Sequence, residues 1–141
     1  MINAFNQVKI CDLGIYKCYE LSSAFQTNEV GVVRRTLPYL APELVMNYEV
    51  PKLMSATKSS DSWALACTFW ELYNKNQVWQ LTRLFATEKL QSIFEARLTP
   101  SYYKKPSFLT RAMELLFNYD AENRLTMQEL VDFYDEAVLI K

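Results

Sequence analysis

The sequence predicts one mainly α-helical domain with a small β-hairpin at its N-terminus and a long loop after it. The chain has 141 residues, which suffices for one hydrophobic core. Half of the residues are apolar and 22% are charged, as is typical of a folded soluble domain. Apolar residues recur at helical spacing over residues 59–138, alternate with polar residues over 7–11, and show no sustained period over 15–40.

The hairpin and the loop come first in the chain. Residues 7–11 predict a short strand that ends at Asp12. A turn at 3–6 connects it to residues 1–2, which are the remnant of a partner strand. A loop as long as 15–40 is uncommon inside a compact domain, and such loops are usually functional or disordered.

The first long helix is predicted from the N-cap candidates Ser59, Ser60 and Asp61 to about Tyr73. Its apolar residues occupy nearly every face, and they are Trp63, Leu65, Phe69, Trp70 and Leu72, with Ala64, Ala66 and Cys67 between them. A helix that is apolar all round is buried. We therefore expect this helix at the centre of the domain.

Three further helices follow. The second spans about Glu88–Arg97, the third starts at Ser107, and the fourth starts with the capping box of Thr126 and Glu129. The residues expected to face inward are Leu90, Ile93 and Phe94 on the second, Met113, Leu115, Leu116 and Phe117 on the third, and Leu130, Phe133, Tyr134, Ala137 and Val138 on the fourth.

Composition excludes several classes of function. The net charge of −1 favours neither nucleic acid nor an anionic membrane as a partner. No apolar run approaches the roughly 18 residues needed to span a bilayer, and residues 1–9 do not form a secretory signal. Cys11, Cys18 and Cys67 lack CxxC spacing and are interpreted as reduced thiols of a cytoplasmic protein.

Two absences restrict the chemistry. The sequence has no histidine, which removes Ser-His and Cys-His catalysis and the usual zinc sites. It has only two glycines, Gly14 and Gly31, too few for a phosphate-binding glycine-rich loop.

Four stretches, in order, resemble the C-terminal lobe of eukaryotic protein kinases. Val8–Gly14 is similar to the strand and DFG motif that open the activation segment, with Leu13 in place of phenylalanine. Thr36–Glu43 is similar to the substrate-facing loop and APE motif that close it, and is closer to Ser/Thr kinases than to tyrosine kinases. Ser60–Leu72 resembles the central helix of that lobe, and Asp120–Thr126 resembles the D-P-x-x-R-x-T stretch before its last helix.

The resemblance implies that residues 1–141 are a partial kinase-like domain, with an activation segment at 12–43 and a helical core at 59–138. Residues 1–6 match the strand and turn that follow the catalytic loop, so we expect the sequence to begin just after that loop. The glycine-rich loop, the ATP-binding lysine and the HRD loop then lie upstream of it, and no catalytic residue is expected in this chain.

Three residues would serve ATP, Mg²⁺ and the substrate in a complete kinase, by resemblance. Asp12 would hold Mg²⁺ against the phosphates of ATP; alternatively it is a turn aspartate at the end of the strand. Gly14, the other residue assigned to cofactor binding in a complete kinase, would supply backbone freedom for the hinge after it, or serve as a plain turn glycine. Thr36 lies in the substrate loop. One carboxylate is a poor Mg²⁺ site without phosphate oxygens, so neither ATP nor Mg²⁺ is expected to bind well to the chain alone.

Three other residues are expected to be structural by the same resemblance. Glu43 and Arg124 resemble the ion pair that ties the activation segment to the last helices, with two solvated charges as the alternative. Asp61 resembles the aspartate that accepts hydrogen bonds from the catalytic loop, and at a helix N-terminus it is in any case favourable.

Several features of the loops have two interpretations. Residues 48–54 lengthen the stretch between Glu43 and Asp61, as a docking loop or, in the interpretation we favour, as a tolerated surface insertion. Arg35 stands where the family commonly has glycine, which argues against ordinary substrate binding. Hydroxyl groups in the loop are surface groups or phosphorylation sites, and they belong to Tyr19, Ser22, Ser23 and Thr27.

The sequence leaves three hypotheses for function. The first is a partial Ser/Thr protein kinase domain, inactive as this chain alone, whose parent phosphorylates proteins. The second is a truncated pseudokinase that acts as a protein-binding scaffold or decoy through an apolar face left uncovered by the missing upstream helix. The third is an unrelated small helical interaction domain, which contact between Glu43 and Arg124 would exclude.

Overall fold

The structure is a computed structural model, and it describes residues 2–9, 37–46, 57–81, 85–102 and 105–139. The chain divides into two compact units, Met1–Val33 and Arg34–Lys141. Most of the predicted long loop and residues 48–54 lie outside the described ranges. So do several residues that carry individual predictions, namely Cys11, Asp12, Gly14, Cys18, Tyr19, Ser22, Ser23, Thr27, Arg35 and Thr36.

The first unit contains a tight turn closed by one antiparallel bridge between Ile2 and Val8. The side-chain oxygen of Asn3 accepts hydrogen bonds from the backbone N–H groups of Phe5 and Gln7. Those N–H groups therefore close the turn and do not extend a ladder. The predicted hairpin is not confirmed beyond this bridge, because the end of the predicted strand lies outside the described residues.

The regular elements among the described residues of the larger unit are all helices. A 3₁₀ turn at Leu37–Tyr39 leads into the short helix α1, Pro42–Met46. The four longer helices are α2 at Lys58–Asn74, α3 at Ala86–Glu95, α4 at Phe108–Leu116 and α5 at Met127–Leu139. A second 3₁₀ turn, Val78–Gln80, lies between α2 and α3. The prediction of a mainly helical fold is confirmed.

Helix α2 lies at the centre of this unit, packed against α4 and both 3₁₀ turns. Its N-cap is Thr57, which forms reciprocal hydrogen bonds with Ser60. The predicted cap at Ser59–Asp61 is therefore wrong, because these residues already lie in the first turn. The helix ends where Lys75 adopts the left-handed conformation, with φ 53°, and donates its N–H to the carbonyl of Glu71.

Burial of α2 is less complete than its apolar composition predicts. Its buried apolar side chains are Trp63, Ala66, Cys67 and Trp70, with Leu65 and Phe69 partly buried. Leu72 is 65% exposed. The prediction of burial on every face is wrong at Leu72, because the described neighbours of α2 cover only part of its circumference.

The remaining helices complete the core. Helix α1 packs against α3, and α5 packs against α4. Leu90 and Phe94 of α3 and Met113 and Leu116 of α4 are buried as predicted. The inward predictions fail at Leu115, Tyr134 and Val138, which are 44%, 51% and 52% exposed. Each lies on the helix away from its buried stripe, and Tyr134 there keeps one ring contact, with Phe108 of α4 at a centroid distance of 5.2 Å.

None of the described helices is both long and apolar enough to cross a membrane.

Candidate functional site

The candidate site is the junction between the helical core and the stretch Leu37–Met46, which we call the anchored segment. Its apolar residues Leu37, Ala41 and Val45 are spaced four apart and are buried. The 3₁₀ turn of this segment packs on α2 and α3, and its helix α1 packs on α3. Hydrophobic burial therefore holds the segment at three successive points.

An ion pair ties the anchored segment to the loop before α5. The Nη1 and Nη2 atoms of Arg124 donate to the two carboxylate oxygens of Glu43 at 2.9 and 3.0 Å. Nη1 also donates to the carbonyl of Ser59 at 2.7 Å, and Nε donates to the carbonyl of Asn118 at 2.9 Å. The side chain of Arg124 is 0% exposed and that of Glu43 is 28% exposed. One guanidinium thus joins the anchored segment, the start of α2 and the loop after α4.

The position of Arg124 is set by a hydrogen-bonded loop at residues 118–124. Asp120 accepts from the backbone N–H of Glu122 at 3.1 Å and from the side-chain amide of Asn123 at 2.6 Å. Asn118 accepts from the N–H of Asp120 and donates to the carbonyl of Asn123. Short polar side chains that bond the local backbone are typical of turns. They hold this turn so that the arginine side chain enters the core.

Aromatic rings line the inner side of the ion pair. The guanidinium carbon of Arg124 lies 5.1 Å from the ring centroid of Trp63, a cation–π arrangement. Trp63 makes T-shaped contacts with Phe94, Phe117 and Tyr119 at centroid distances of 5.6, 5.1 and 5.4 Å. Among the described residues, the indole N–H of Trp63 is the one buried side-chain polar group without a hydrogen-bond partner.

A second polar contact holds the 3₁₀ turn of the anchored segment. The hydroxyl of Tyr39 donates to Oε2 of Glu71 at 2.7 Å, and Oε1 of Glu71 accepts from the N–H of Val78 at 3.0 Å. Burial and the neighbouring carboxylate of Glu71 raise the pKa of Tyr39 to about 12. The phenol therefore stays protonated and able to donate well above neutral pH.

A third polar contact comes from the turn between α2 and α3. The indole N–H of Trp79 donates to the carbonyl of Pro38 at 3.1 Å. Trp79 and Glu71 thus bind two successive residues of the anchored segment, Pro38 and Tyr39.

The predicted site residues divide into three groups. Glu43 and Arg124 are in direct contact, so they are not two separately solvated charges. Asp61 is exposed in the first turn of α2 and makes none of the described contacts of that pair. Asp12, Gly14 and Thr36 lie outside the described residues.

Sequence reasoning assigned no role to Tyr39, Glu71 or Trp79. A signal was present for Glu71, which is the one carboxylate in an otherwise apolar stretch of α2. A lone carboxylate among apolar residues needs hydrogen-bond donors, which Tyr39 and Val78 provide.

The described contacts of this site position a segment by hydrophobic packing, an ion pair and hydrogen bonds. Burial raises the pKa of the Cys67 thiol far above its usual value, with the charge of Glu71 adding to the effect, so this thiol is unreactive. Over the described ranges, no group of three or more metal-ligating side chains could hold a metal ion.

The family model of the protein kinase domain matches residues 1–133 of the chain. The chain is also similar to a probable serine/threonine-protein kinase of Dictyostelium discoideum, with 29% identity over 91 residues. That alignment covers 64% of this chain and 8% of the length of the relative. The match over most of the sequence excludes an unrelated helical domain with chance motifs. The chain belongs to the protein kinase domain family.

Proposed function

We propose that the chain forms part of the C-terminal lobe of a Ser/Thr-type protein kinase domain, which in complete form transfers the γ-phosphoryl group of ATP to a protein. The observation that carries the proposal is the bidentate ion pair between Glu43 and Arg124. A bidentate pair enclosed by protein fixes direction as well as distance. It anchors the stretch that resembles the substrate-facing loop to the core that resembles the kinase C-lobe.

Phosphoryl transfer depends mainly on positioning and on neutralising charge. In the proposed complete domain Asp12 holds Mg²⁺ against the phosphates of ATP, and Gly14 provides the backbone freedom that follows it. Thr36 lies in the substrate loop just before the anchored segment. The contacts of Tyr39 and Glu43 keep that loop at a fixed distance from the core.

The 141 residues alone do not transfer phosphate on this proposal. They contain no histidine and only two glycines, so neither an HRD loop nor a glycine-rich loop is among them. Asp12 by itself is a weak Mg²⁺ site. We place the protein in the cytoplasm, where its thiols stay reduced, with proteins as its partners.

The test is a kinase assay on the endogenous polypeptide, captured with an antibody against residues 126–141. Its intact mass is measured in the same sample, together with incorporation of labelled phosphate from ATP and Mg²⁺ into serine- and threonine-containing peptides. We expect incorporation that is lost in the Asp12→Asn variant, with Asp132→Asn on α5 as a control of equal charge change. Incorporation that the Asp12→Asn variant retains would contradict the assigned Mg²⁺ role.

A second candidate function, protein binding as a pseudokinase scaffold or decoy, is favoured by the outer face of α5. Four apolar residues at helical spacing lie on this face and are exposed, namely Met127, Val131, Tyr134 and Val138. An exposed apolar stripe of this kind is characteristic of an interaction surface. Two results together would favour this function over phosphate transfer. The captured polypeptide transfers no phosphate, and it binds a partner protein that its Val131→Asp variant does not bind.

A further inference from the structure

We infer that Trp79 is a positioning residue, whose indole N–H holds the Leu37–Tyr39 turn in the shape that receives the protein substrate. That the turn receives a protein substrate rests on the function proposed above. The bond between Trp79 and Pro38 does not.

Trp79 contacts the turn directly through its indole N–H. Trp79 Nε1 lies 3.1 Å from the carbonyl oxygen of Pro38, a residue 41 positions away in the sequence. Proline has no backbone N–H, so the carbonyl is its single backbone hydrogen-bonding group. A donor at this carbonyl therefore sets the orientation of the Pro38–Tyr39 peptide plane.

Packing restricts rotation of the Trp79 indole. Its ring makes a T-shaped contact with Phe94 at a centroid distance of 5.6 Å and an interplanar angle of 84°. Phe94, on α3, is buried in the core and also contacts Trp63 of α2. Packing against Phe94 thus fixes the direction of the indole N–H independently of its bond to Pro38.

The backbone at Trp79 has φ 63° and ψ −14°. A bulky side chain rarely adopts positive φ, and such conformations persist only where the surrounding contacts impose them. Two contacts flank this position: the N–H of Val78 donates to Glu71, and the carbonyl of Gln80 accepts from the ammonium of Lys89 at 3.3 Å. The strained conformation aims the indole at Pro38, which is the kind of position where functional sites hold strain.

The same connection holds the neighbouring residue of the turn. Glu71 bonds both Tyr39 and the N–H of Val78, so the residue before Trp79 is linked to the residue after Pro38. Trp79 and Glu71 together form a two-point clamp on the turn. Loss of the indole bond should loosen the turn without unfolding the core.

The test is Trp79→Phe in the full chain, followed by amide hydrogen exchange. Phenylalanine keeps the contact with Phe94 and removes the N–H. We expect about fivefold faster exchange at the Leu40 amide, which bonds the carbonyl of Leu37, because one net hydrogen bond is lost. Exchange at the amide of Phe117, at the buried C-terminal end of α4, should be unchanged.

Trp70→Phe is the matched control. Trp70 also donates its indole N–H to a backbone carbonyl at 3.1 Å, that of Ser101, far along the chain from the turn. It should leave exchange at Leu40 unchanged. Unchanged exchange at Leu40 in Trp79→Phe, or an equal rise at Phe117, would overturn the inference.

A kinetic readout separates positioning from general stability. In the polypeptide that phosphorylates peptides, Trp79→Phe should raise KM for the peptide about fivefold at unchanged kcat, since the lost bond shapes binding. A fall in kcat at unchanged KM would contradict positioning. If the unsubstituted protein phosphorylates nothing, the proposed function fails, while the exchange result still decides whether Trp79 holds the turn.

Discussion

The ion pair of Glu43 with Arg124 and the capping box of Thr126 with Glu129 use bonds of similar length, and Arg124 lies two residues before Thr126, but the two interactions differ in burial. Arg124 donates to Glu43 at 2.9 and 3.0 Å, with its side chain 0% exposed. Thr126 donates its N–H to Glu129 at 2.8 Å, and both residues are exposed. Bond length alone therefore does not rank these two interactions.

Water explains the difference. At the capping box, water competes for every donor and acceptor, so its bonds stabilise only the first turn of α5. At the ion pair, loss of Glu43 leaves the fully buried guanidinium of Arg124 without its charged partner, and loss of Arg124 leaves a carboxylate that is only 28% exposed. Arg124 satisfies three groups on three different segments, whereas Glu129 satisfies groups one turn away. The first interaction stabilises the tertiary structure and the second stabilises a helix end.

The largest effect is expected for Arg124→Leu. It removes the partner of Glu43 and leaves the carbonyls of Ser59 and Asn118 without their donor. We expect the free energy of unfolding to fall by about 3–5 kcal/mol and soluble yield to fall with it. Denaturant unfolding measures the change.

The control for that prediction is Arg111→Leu on α4. Arg111 also lies over an aromatic ring, with its guanidinium carbon 5.4 Å from the centroid of Phe133, but it is exposed. Its loss should cost less than about 1 kcal/mol. Equal destabilisation by the two leucine variants would mean that burial is not what distinguishes Arg124.

A smaller effect is expected for Tyr39→Phe. Glu71 loses one donor and keeps the N–H of Val78, so the free energy of unfolding should fall by about 1–2 kcal/mol. The Leu40 amide should exchange faster, which Tyr119→Phe should not cause, since the hydroxyl of Tyr119 donates to Leu98 away from the anchored segment.

Alkaline pH sharpens the same test. The pKa of Tyr39 is raised from 10.0 to about 12 in the folded chain, so between these values the folded state holds more protons than the unfolded state. The free energy of unfolding must then fall as pH rises through that window. Burial also raises the pKa of Tyr119 to about 12, so each phenylalanine variant should remove part of the alkaline loss. If the free energy of unfolding of both variants fell with alkaline pH as steeply as that of the unsubstituted chain, this assignment would be contradicted.

The smallest effect is expected for Glu129→Gln. Hydrogen bonds from the N–H and hydroxyl of Thr126 lower the pKa of Glu129, so its contribution is present above the ordinary value of 4.5 and is lost as pH falls below it. The variant should weaken the acid dependence and lose only the small contribution of the charge at neutral pH, because the amide oxygen of glutamine still accepts from Thr126. Glu136→Gln, at an exposed position near the other end of α5, is the matched control. A loss at neutral pH as large as that of Arg124→Leu would reverse the ranking.

The sequence predicted the helices well, because long apolar patterns and capping pairs are local signals. The reciprocal bonds of Thr126 with Glu129 and the N-cap at Ser107 are present where the sequence placed them. The cap of α2 was missed by a few residues, since Thr57 competes with three other hydroxyl and carboxylate candidates that follow it. Exposure of Leu72 and Leu115 was also missed, because periodicity does not reveal which neighbours a helix has.

The candidate site could be predicted only in part. The contact between Glu43 and Arg124 joins residues 81 positions apart, and it was expected from a resemblance, since no local pattern encodes it. Tyr39, Glu71 and Trp79 were missed because their roles depend on how the turn between α2 and α3 folds back. The positive φ at Trp79 has no local sequence signal, because no glycine marks it.

The most direct test of the account is a double-mutant cycle between Glu43 and Arg124. The variants Glu43→Ala, Arg124→Ala and the double variant are unfolded in denaturant under two-state conditions. A buried bidentate tie predicts a coupling free energy of about 2–3 kcal/mol, because the second substitution removes a group that the first has already left unpaired. A coupling below about 0.5 kcal/mol would contradict the claim that this pair anchors the segment to the core.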